Sequence, residues 1–266
     1  MVRSLLVVFL LGAGTAYADV PVTGRTQHFT FSREQVQDVA AQAYRVKLAR
    51  LRERGELDAD RKTLIRVRRI AAHLIAQAIE LKPNSAGWRW DVHVASSPDV
   101  AAFSMAGGKL LIGSQFIRSN HLTDQELSMA IAHEIGHVIA EHVREQLSMA
   151  AEFDPAPPGR TLGVRDVVNS MDSDIAVYLR LQPLSRLQEL EADDIGVQLA
   201  ARSGVSPAAI KSFYGKITRK GVGQTLFDTH GPVGQRREFA MSMADFAESA
   251  YEKSQEQSLP TYAFRQ

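Results

Sequence analysis

The chain has 266 residues, 45% of them hydrophobic and 23% charged, with a formal net charge of +1. That length supports one sizeable core with at most a small appendage, and the near-neutral charge excludes a global field that would draw nucleic acid. There is no cysteine, which removes disulfides, thiolate metal ligands and thiol catalysis together, so a bound metal must be held by His, Asp or Glu.

The first eighteen residues, MVRSLLVVFLLGAGTAYA, carry one basic residue (Arg3), an apolar run from Leu5 to Leu11 and then small residues. Ala16-Tyr17-Ala18 fits a signal peptidase site and predicts a mature chain beginning at Asp19. The apolar run is well short of the ~20 residues a spanning helix needs, and no later stretch is apolar enough to cross a bilayer. Residues 20–31 read as extended or irregular.

From Ser32 a helix is expected, with Val36, Val39, Ala40, Ala43, Tyr44, Leu48 and Leu51 at helical spacing and Gly55 at its end. Asp58 or Asp60 caps a second helix that runs to about Leu81 and closes at Pro83. The excess of Arg and Lys between Arg45 and Arg69 reads as a solvated helix face rather than a phosphate or lipid patch, because Glu53, Glu56, Asp58 and Asp60 interrupt it.

Residues 88–94 alternate, with Trp88, Trp90, Val92 and Val94 on one side and Arg89, Asp91 and His93 on the other, which predicts a strand. Phe103 to Met105, a Gly107-Gly108 turn and Lys109 to Ile112 predict a β-hairpin. Thr123 and Glu126 form a capping box ahead of a helix expected to continue to about Met149. After a Pro-rich loop at 154–159 come a helical stretch from Val164 to Leu181 and a helix from Ser185 to Arg202, which follows Pro183 and ends at Gly204. The tail from Pro207 is mostly helical, interrupted by Asp228-Thr229-His230-Gly231-Pro232. The fold class is α+β, mainly helical, with a small antiparallel sheet.

His133-Glu134-Ile135-Gly136-His137 lies on the capped helix. Four residues advance a helix by about 6 Å and return to nearly the same face, so both imidazoles can address one ion. Glu134 lies about 100° round the helix, near enough to reach a water beside that ion. Gly136 removes bulk where another element can approach. Ala130, Ile131, Ala132, Ile135, Val138, Ile139 and Ala140 surround the motif with apolar side chains, so two histidines and a glutamate there need partners, and a zinc ion supplies them. A third ligand is expected from SRLQELEADDIG at 185–196, where Glu189 and Asp193 are four apart on one face; spacing alone does not choose between Glu189 and Glu191. His142, five residues beyond His137, falls off the ligand face, and His28, His73, His93 and His121 have no supporting context.

HEIGH followed by S-R-x-x-E and Ala-Asp resembles the gluzincin metallopeptidases typified by HtpX and the CAAX prenyl endopeptidase, and most of all soluble periplasmic members such as the β-barrel assembly-enhancing protease, without a tetratricopeptide region. Residues 96–117 are similar to the family's N-A-F-A-x-P-G-G segment, with Ala101 and Ala106 where Asn and Pro are usual. The loop holding His230 resembles the family's T-H-P loop with a glycine inserted. The resemblance covers roughly residues 90–240.

The resemblance implies a zincin-like domain over 19–266: an N-terminal helical part (19–85), a catalytic core (86–245) and a tail (246–266). It implies one Zn2+ per chain held by His133, His137 and Glu189, with Asp193 hydrogen-bonded behind a ligating histidine. It also places His230 at the site, as a donor to the oxyanion, as an inhibitory fourth ligand, or in neither role. Such a zinc acidifies water and polarises a peptide carbonyl, and Glu134 takes the proton. If Lys109, Leu110, Leu111 and Ile112 form the sheet edge over the cleft, an extended polypeptide can pair with them. The expected protein is a periplasmic zinc endopeptidase acting on unfolded or misassembled envelope proteins, with no nucleic-acid partner. The alternatives are a chaperone or binding protein on the same fold and a zinc hydrolase of non-protein substrates.

Overall fold

The computed structural model describes residues 16–153, 155, 160–217 and 233–264. A short antiparallel ribbon, β1 (Ala16–Asp19) and β2 (Thr26–Phe29), leads into α1 (Arg33–Glu53) and α2 (Arg61–Leu81). Cleavage after Ala18 leaves one of the four ribbon pairs, Asp19↔Thr26. The burial of this segment lies beyond the cut, at Val20, Gln27, Phe29 and Phe31.

Both helix starts are where the sequence puts them. Ser32 and Gln35 exchange the two hydrogen bonds of a capping box, and Asp60 accepts from the amides of Lys62 and Thr63. Val36, Ala40, Tyr44, Leu48 and Leu51 make the buried stripe of α1. The basic side chains between them face outward, as expected of a solvated face, and those of α2 are tied locally: Arg66 and Arg69 to Asp124, and Arg68 to the Val92 carbonyl.

Strands β3 (Asp91–Ala95), β4 (Ala102–Met105) and β5 (Lys109–Gly113) form a sheet in the order β3-β5-β4. The hairpin β4–β5 forms as expected, its turn carried by Gly107 and Gly108 at φ 78° and 82°. The sheet is mixed rather than antiparallel, because the hairpin folds back so that β5 enters between β4 and β3 and runs parallel to β3. This also corrects the assignment of Lys109, Leu110, Leu111 and Ile112 to a sheet edge. β5 is the central strand, hydrogen-bonded on both sides, and β4 is the edge. Leu110 and Ile112 face the core built by α2 and the motif helix, while Leu111 faces the α1 cluster of Tyr44, Leu48 and Leu51. Both faces are covered, so the strand reads as a continuous apolar run.

After α3 (Ser114–Ser119) the chain forms α4 (Asp124–Ile139), α5 (His142–Phe153), α6 (Val164–Ser173) and α7 (Ile175–Arg202). Two boundaries differ from expectation. The motif helix stops at Ile139 instead of running to Met149, since Glu141 takes φ 55° and turns the chain. Its buried carboxylate binds Arg33, Lys82 and Arg144 at 2.8–2.9 Å. Conversely, α7 starts ten residues before Ser185 and runs through Pro183. A proline in a helix interior costs ~3 kcal/mol. Here Val177, Leu181 and Leu184 bury against Leu147, Ala150, Val164 and Val167, and that packing carries the helix through. The helices α8 (Pro207–Ile217), α9 (Val233–Phe246) and α10 (Glu248–Gln255) close over α4 and α7. Among the described residues no helix is long and apolar enough to cross a membrane.

Candidate metal centre

The start of α4 is set by Thr123, whose hydroxyl accepts from the Glu126 amide while Glu126 accepts from the Thr123 amide. Every residue from Glu126 to Gly136 is buried, as a helix apolar nearly all round must be. Across it lies α7, and glycines set their separation. A Cβ on Gly136 would lie 2.9 Å from the Ala192 carbonyl oxygen, and one on Gly196 3.0 Å from the His133 amide nitrogen. Contact at that range is possible only where both helices lack a side chain.

The close crossing brings three donors together. His133 Nε2 and His137 Nε2 are 3.1 Å apart, and the Glu189 carboxylate lies 3.5 Å from the first and 3.4 Å from the second. A tetrahedral ion bonded at about 2.0–2.1 Å sets its ligands about 3.3 Å apart. The donor set therefore fits a single divalent ion of the zinc type, with His and carboxylate donors and no thiolate.

Each imidazole is held from behind. His133 Nδ1 is 2.9 Å from Asp193 Oδ1, and the Tyr214 hydroxyl donates to that oxygen at 2.7 Å. A proton on Nδ1 donated to Asp193 leaves Nε2 bare for the ion. Burial drives the His137 imidazole down to about pKa 3, although the Glu189 carboxylate pulls the other way. His137 is thus the neutral base that a ligand must be. Glu134 is fully buried on the same helix, one residue from His133.

A second chain of polar groups, not foreseen from the sequence, lies behind His137. His142 Nδ1 is 2.9 Å from His137 Nδ1, and His142 Nε2 is 3.3 Å from Glu191 Oε2. Glu191 accepts from Arg25 Nε at 2.7 Å and Nη2 at 2.8 Å, and Arg25 pairs with Glu145 as well. Burial pushes the Glu191 carboxyl up, but hydrogen bonds from Arg25 and His142 outweigh it and hold the group at about 2. On a continuous helix His142 points away from the ligand face. The turn at Glu141 brings it back, and no local sequence signal announces that turn.

Of the expected site residues, His133, His137, Glu189 and Asp193 come together, and Glu134 adjoins His133 on the same helix, fully buried. Lys109 to Ile112 are interior. His230 lies outside the described residues. The edge strand β4 instead borders the centre: Ser104, Met105 and Ala106 line a cleft together with His137 and Val138.

Residues 62–244 match the profile of peptidase family M48. The chain is 36% identical over 169 residues to the mitochondrial metalloendopeptidase OMA1 of Arabidopsis thaliana, covering 62% of this chain and 33% of that protein. It is 29% identical over 169 residues to the metalloprotease LoiP of Escherichia coli, covering 61% and 65%. With the β-barrel assembly-enhancing protease of Yersinia pestis it shares 26% identity over 145 residues, covering 50% and 29%. The chain spans about a third of the length of the plant, bovine and human OMA1 proteins it matches.

Proposed function

The chain belongs to peptidase family M48, and from that premise we propose that it is an exported zinc-dependent endopeptidase. Its proposed substrates are unfolded or misassembled envelope proteins, outer-membrane proteins among them. The observation that carries the reading is the spacing of His133, His137 and Glu189 at the edge lengths of a tetrahedral site, with Glu134 next to His133 in the chain. The pattern at residues 1–18 supports export, with the periplasm as destination. Residues 19–266 act as one catalytic unit.

His133, His137 and Glu189 would hold a zinc ion, which when bound would supply a Lewis acid for the attacking water and the scissile carbonyl. Glu134 takes the proton of the attacking water and returns it to the leaving amine. Asp193 and Tyr214 keep His133 in the tautomer that presents Nε2. The backbone of β4 offers an edge on which an extended polypeptide adds as a strand, ending beside His137. A folded substrate must open before it can pair, so flexible chains are preferred. His230 belongs to the site in this reading, and His230→Ala reads its role: activity rises if the imidazole caps the metal and falls if it donates to the oxyanion.

The test is zinc content and casein hydrolysis of the chain beside Glu134→Gln. Wild type should hold one zinc and cleave in a chelator-sensitive way. Glu134→Gln should keep its zinc and lose activity by ~10²–10⁴-fold. A wild type that binds no zinc, or a Glu134→Gln variant that cleaves at the wild-type rate, refutes the assignment.

A further inference from the structure

We propose that His142 is a positioning residue for the metal centre, and that through it Glu191 and Arg25 orient His137. A segment from the start of the described chain, ahead of α1, thereby braces the ligand set. The inference rests on the reading of His137 as a zinc ligand.

His137 Nε2 faces His133 Nε2 and Glu189, so in the neutral ligand the remaining proton sits on Nδ1. That atom faces His142 Nδ1 at 2.9 Å. Two ring nitrogens at this distance need one donor and one acceptor. His137 is the donor, which leaves the His142 proton on Nε2, and that atom lies 3.3 Å from Glu191 Oε2, an electrostatic approach without hydrogen-bond alignment. The Arg25 guanidinium grips both oxygens of Glu191 and fixes its orientation. Thr23 Oγ1 adds a contact at 3.2 Å. Arg25 is fixed in turn by Glu145, which also accepts from Gln27 and Gln188. The chain from His137 to Arg25 thus runs through a hydrogen bond to His142, a 3.3 Å approach to Glu191 and the Arg25 clamp, as on the other side His133 has Asp193 and Tyr214.

An apolar side chain of similar volume would fill the space of His142 equally well. What the imidazole adds is an acceptor at Nδ1 and a donor at Nε2, the two atoms that join His137 to Glu191. Arg25 and Thr23 lie outside residues 62–244, the span of the family match. The segment around them is bound to the α4–α5 junction along its length. Gln27 donates to the Ala140 carbonyl, Thr30 donates to Ser148 Oγ, and Arg33 pairs with Glu141. It straps the break in the helix that brings His142 back to His137.

The test measures zinc affinity of the full chain by competition with a chromogenic chelator, together with the visible absorption spectrum of the Co2+ form. Loss of a group behind a metal-ligating histidine typically weakens metal binding by about 10–100-fold, and His142→Leu and Glu191→Gln should fall in that range. His142→Asn should recover most of the loss, because its side-chain oxygen can sit near the Nδ1 position and accept from His137. The double variant His142→Leu/Glu191→Gln should bind no more weakly than His142→Leu alone, as members of one chain do. Leu48→Ala, a core truncation in the α1 cluster, should lower stability and leave both the affinity and the Co2+ spectrum unchanged. A folded His142→Leu that binds zinc within about twofold of wild type, the scatter of unrelated sites, overturns the proposal. If His142→Leu does not fold, Glu191→Gln and Arg25→Leu decide by the same criterion. A wild type that binds no zinc removes the metallopeptidase reading and this one together, whereas a tight wild type with unaffected variants removes this one alone.

Discussion

A methyl group added at Gly136 tests whether the crossing of α4 and α7 sets the metal centre. On the present backbone it would sit 2.9 Å from the Ala192 carbonyl oxygen and 3.2 Å from Ala192 Cα. Both are backbone atoms, so no rotamer change relieves the clash. Ordinary contact begins at about 3.5 Å, and the helices must move apart by roughly half an ångström. Overpacking of this kind costs ~1–3 kcal/mol, while alanine in place of glycine within a helix returns about 1 kcal/mol. The net loss of stability in Gly136→Ala is therefore about 0–2 kcal/mol.

The larger effect falls on the site. Gly136 adjoins His137, and Ala192 lies three residues beyond Glu189 on the opposing helix, so the displacement acts on the 3.4 Å separation of His137 and Glu189. Functional constellations tolerate only about 0.5 Å, and zinc affinity should fall by roughly tenfold or more, about 1.4 kcal/mol. Urea unfolding of the metal-free protein reads the stability, and chelator competition reads the affinity. A variant about 1 kcal/mol more stable than wild type, with unchanged zinc binding, would show that the crossing is not tight and refute the reasoning.

Three further outcomes are expected. Glu141→Ala leaves Arg33, Lys82 and Arg144 without their shared anion and should cost ~3–5 kcal/mol in urea unfolding, as breaking buried pairs does. Glu141→Gly should be about 1 kcal/mol milder, because glycine accepts the positive φ; equal losses would mean that the turn carries no strain. Burial pulls the His93 imidazole down, but the hydrogen bonds it donates to Asp58 and Asp91 raise it to about 9. The stability this provides is complete below an unfolded pKa of ~6.5, disappears as pH rises through about 9, and is on the order of 3 kcal/mol. His93→Gln should flatten the stability profile over that window, and parallel profiles would dismiss the ion-pair account. Tyr214→Phe removes the 2.7 Å hydrogen bond to Asp193 and should weaken zinc binding by about tenfold, the low end for groups that orient a metal-ligating histidine; unchanged affinity in chelator competition would place Tyr214 outside the support of His133.

Much of the molecule follows from short-range patterns in the sequence. Ser32, Asp60 and Thr123 cap helices because a side-chain oxygen reaches amides two or three residues ahead, a relation complete within four residues. His133 and His137 share a face because four residues make about one turn, and Glu189 and Asp193 do so for the same reason. The Gly107-Gly108 hairpin belongs to this class as well. Choosing Glu189 over Glu191 required the family resemblance, since both sit on one acidic helix; in the fold Glu189 meets the two histidines while Glu191 turns to Arg25.

The remainder was decided by contacts between distant parts of the chain. Whether Lys109 to Ile112 form an edge or a centre depends on which strands flank them, and β3 occupies the other side of β5 while the α1 and α2 clusters cover the two faces of the sheet. Pro183 lies within α7 because burial against α5 and α6 outweighs a local preference. The helix ends at Ile139 because Arg33, Lys82 and Arg144 converge on Glu141 from three parts of the chain. From that turn follow the position of His142 and the connection of Arg25 to the metal centre. The sequence by itself determined the pairing of His133 with His137 and narrowed the third candidate ligand to one acidic helix, since such spacing is a property of one helix at a time. Only the tertiary structure decided what stands behind them, because a side chain's partner across a packed core has no fixed distance along the chain.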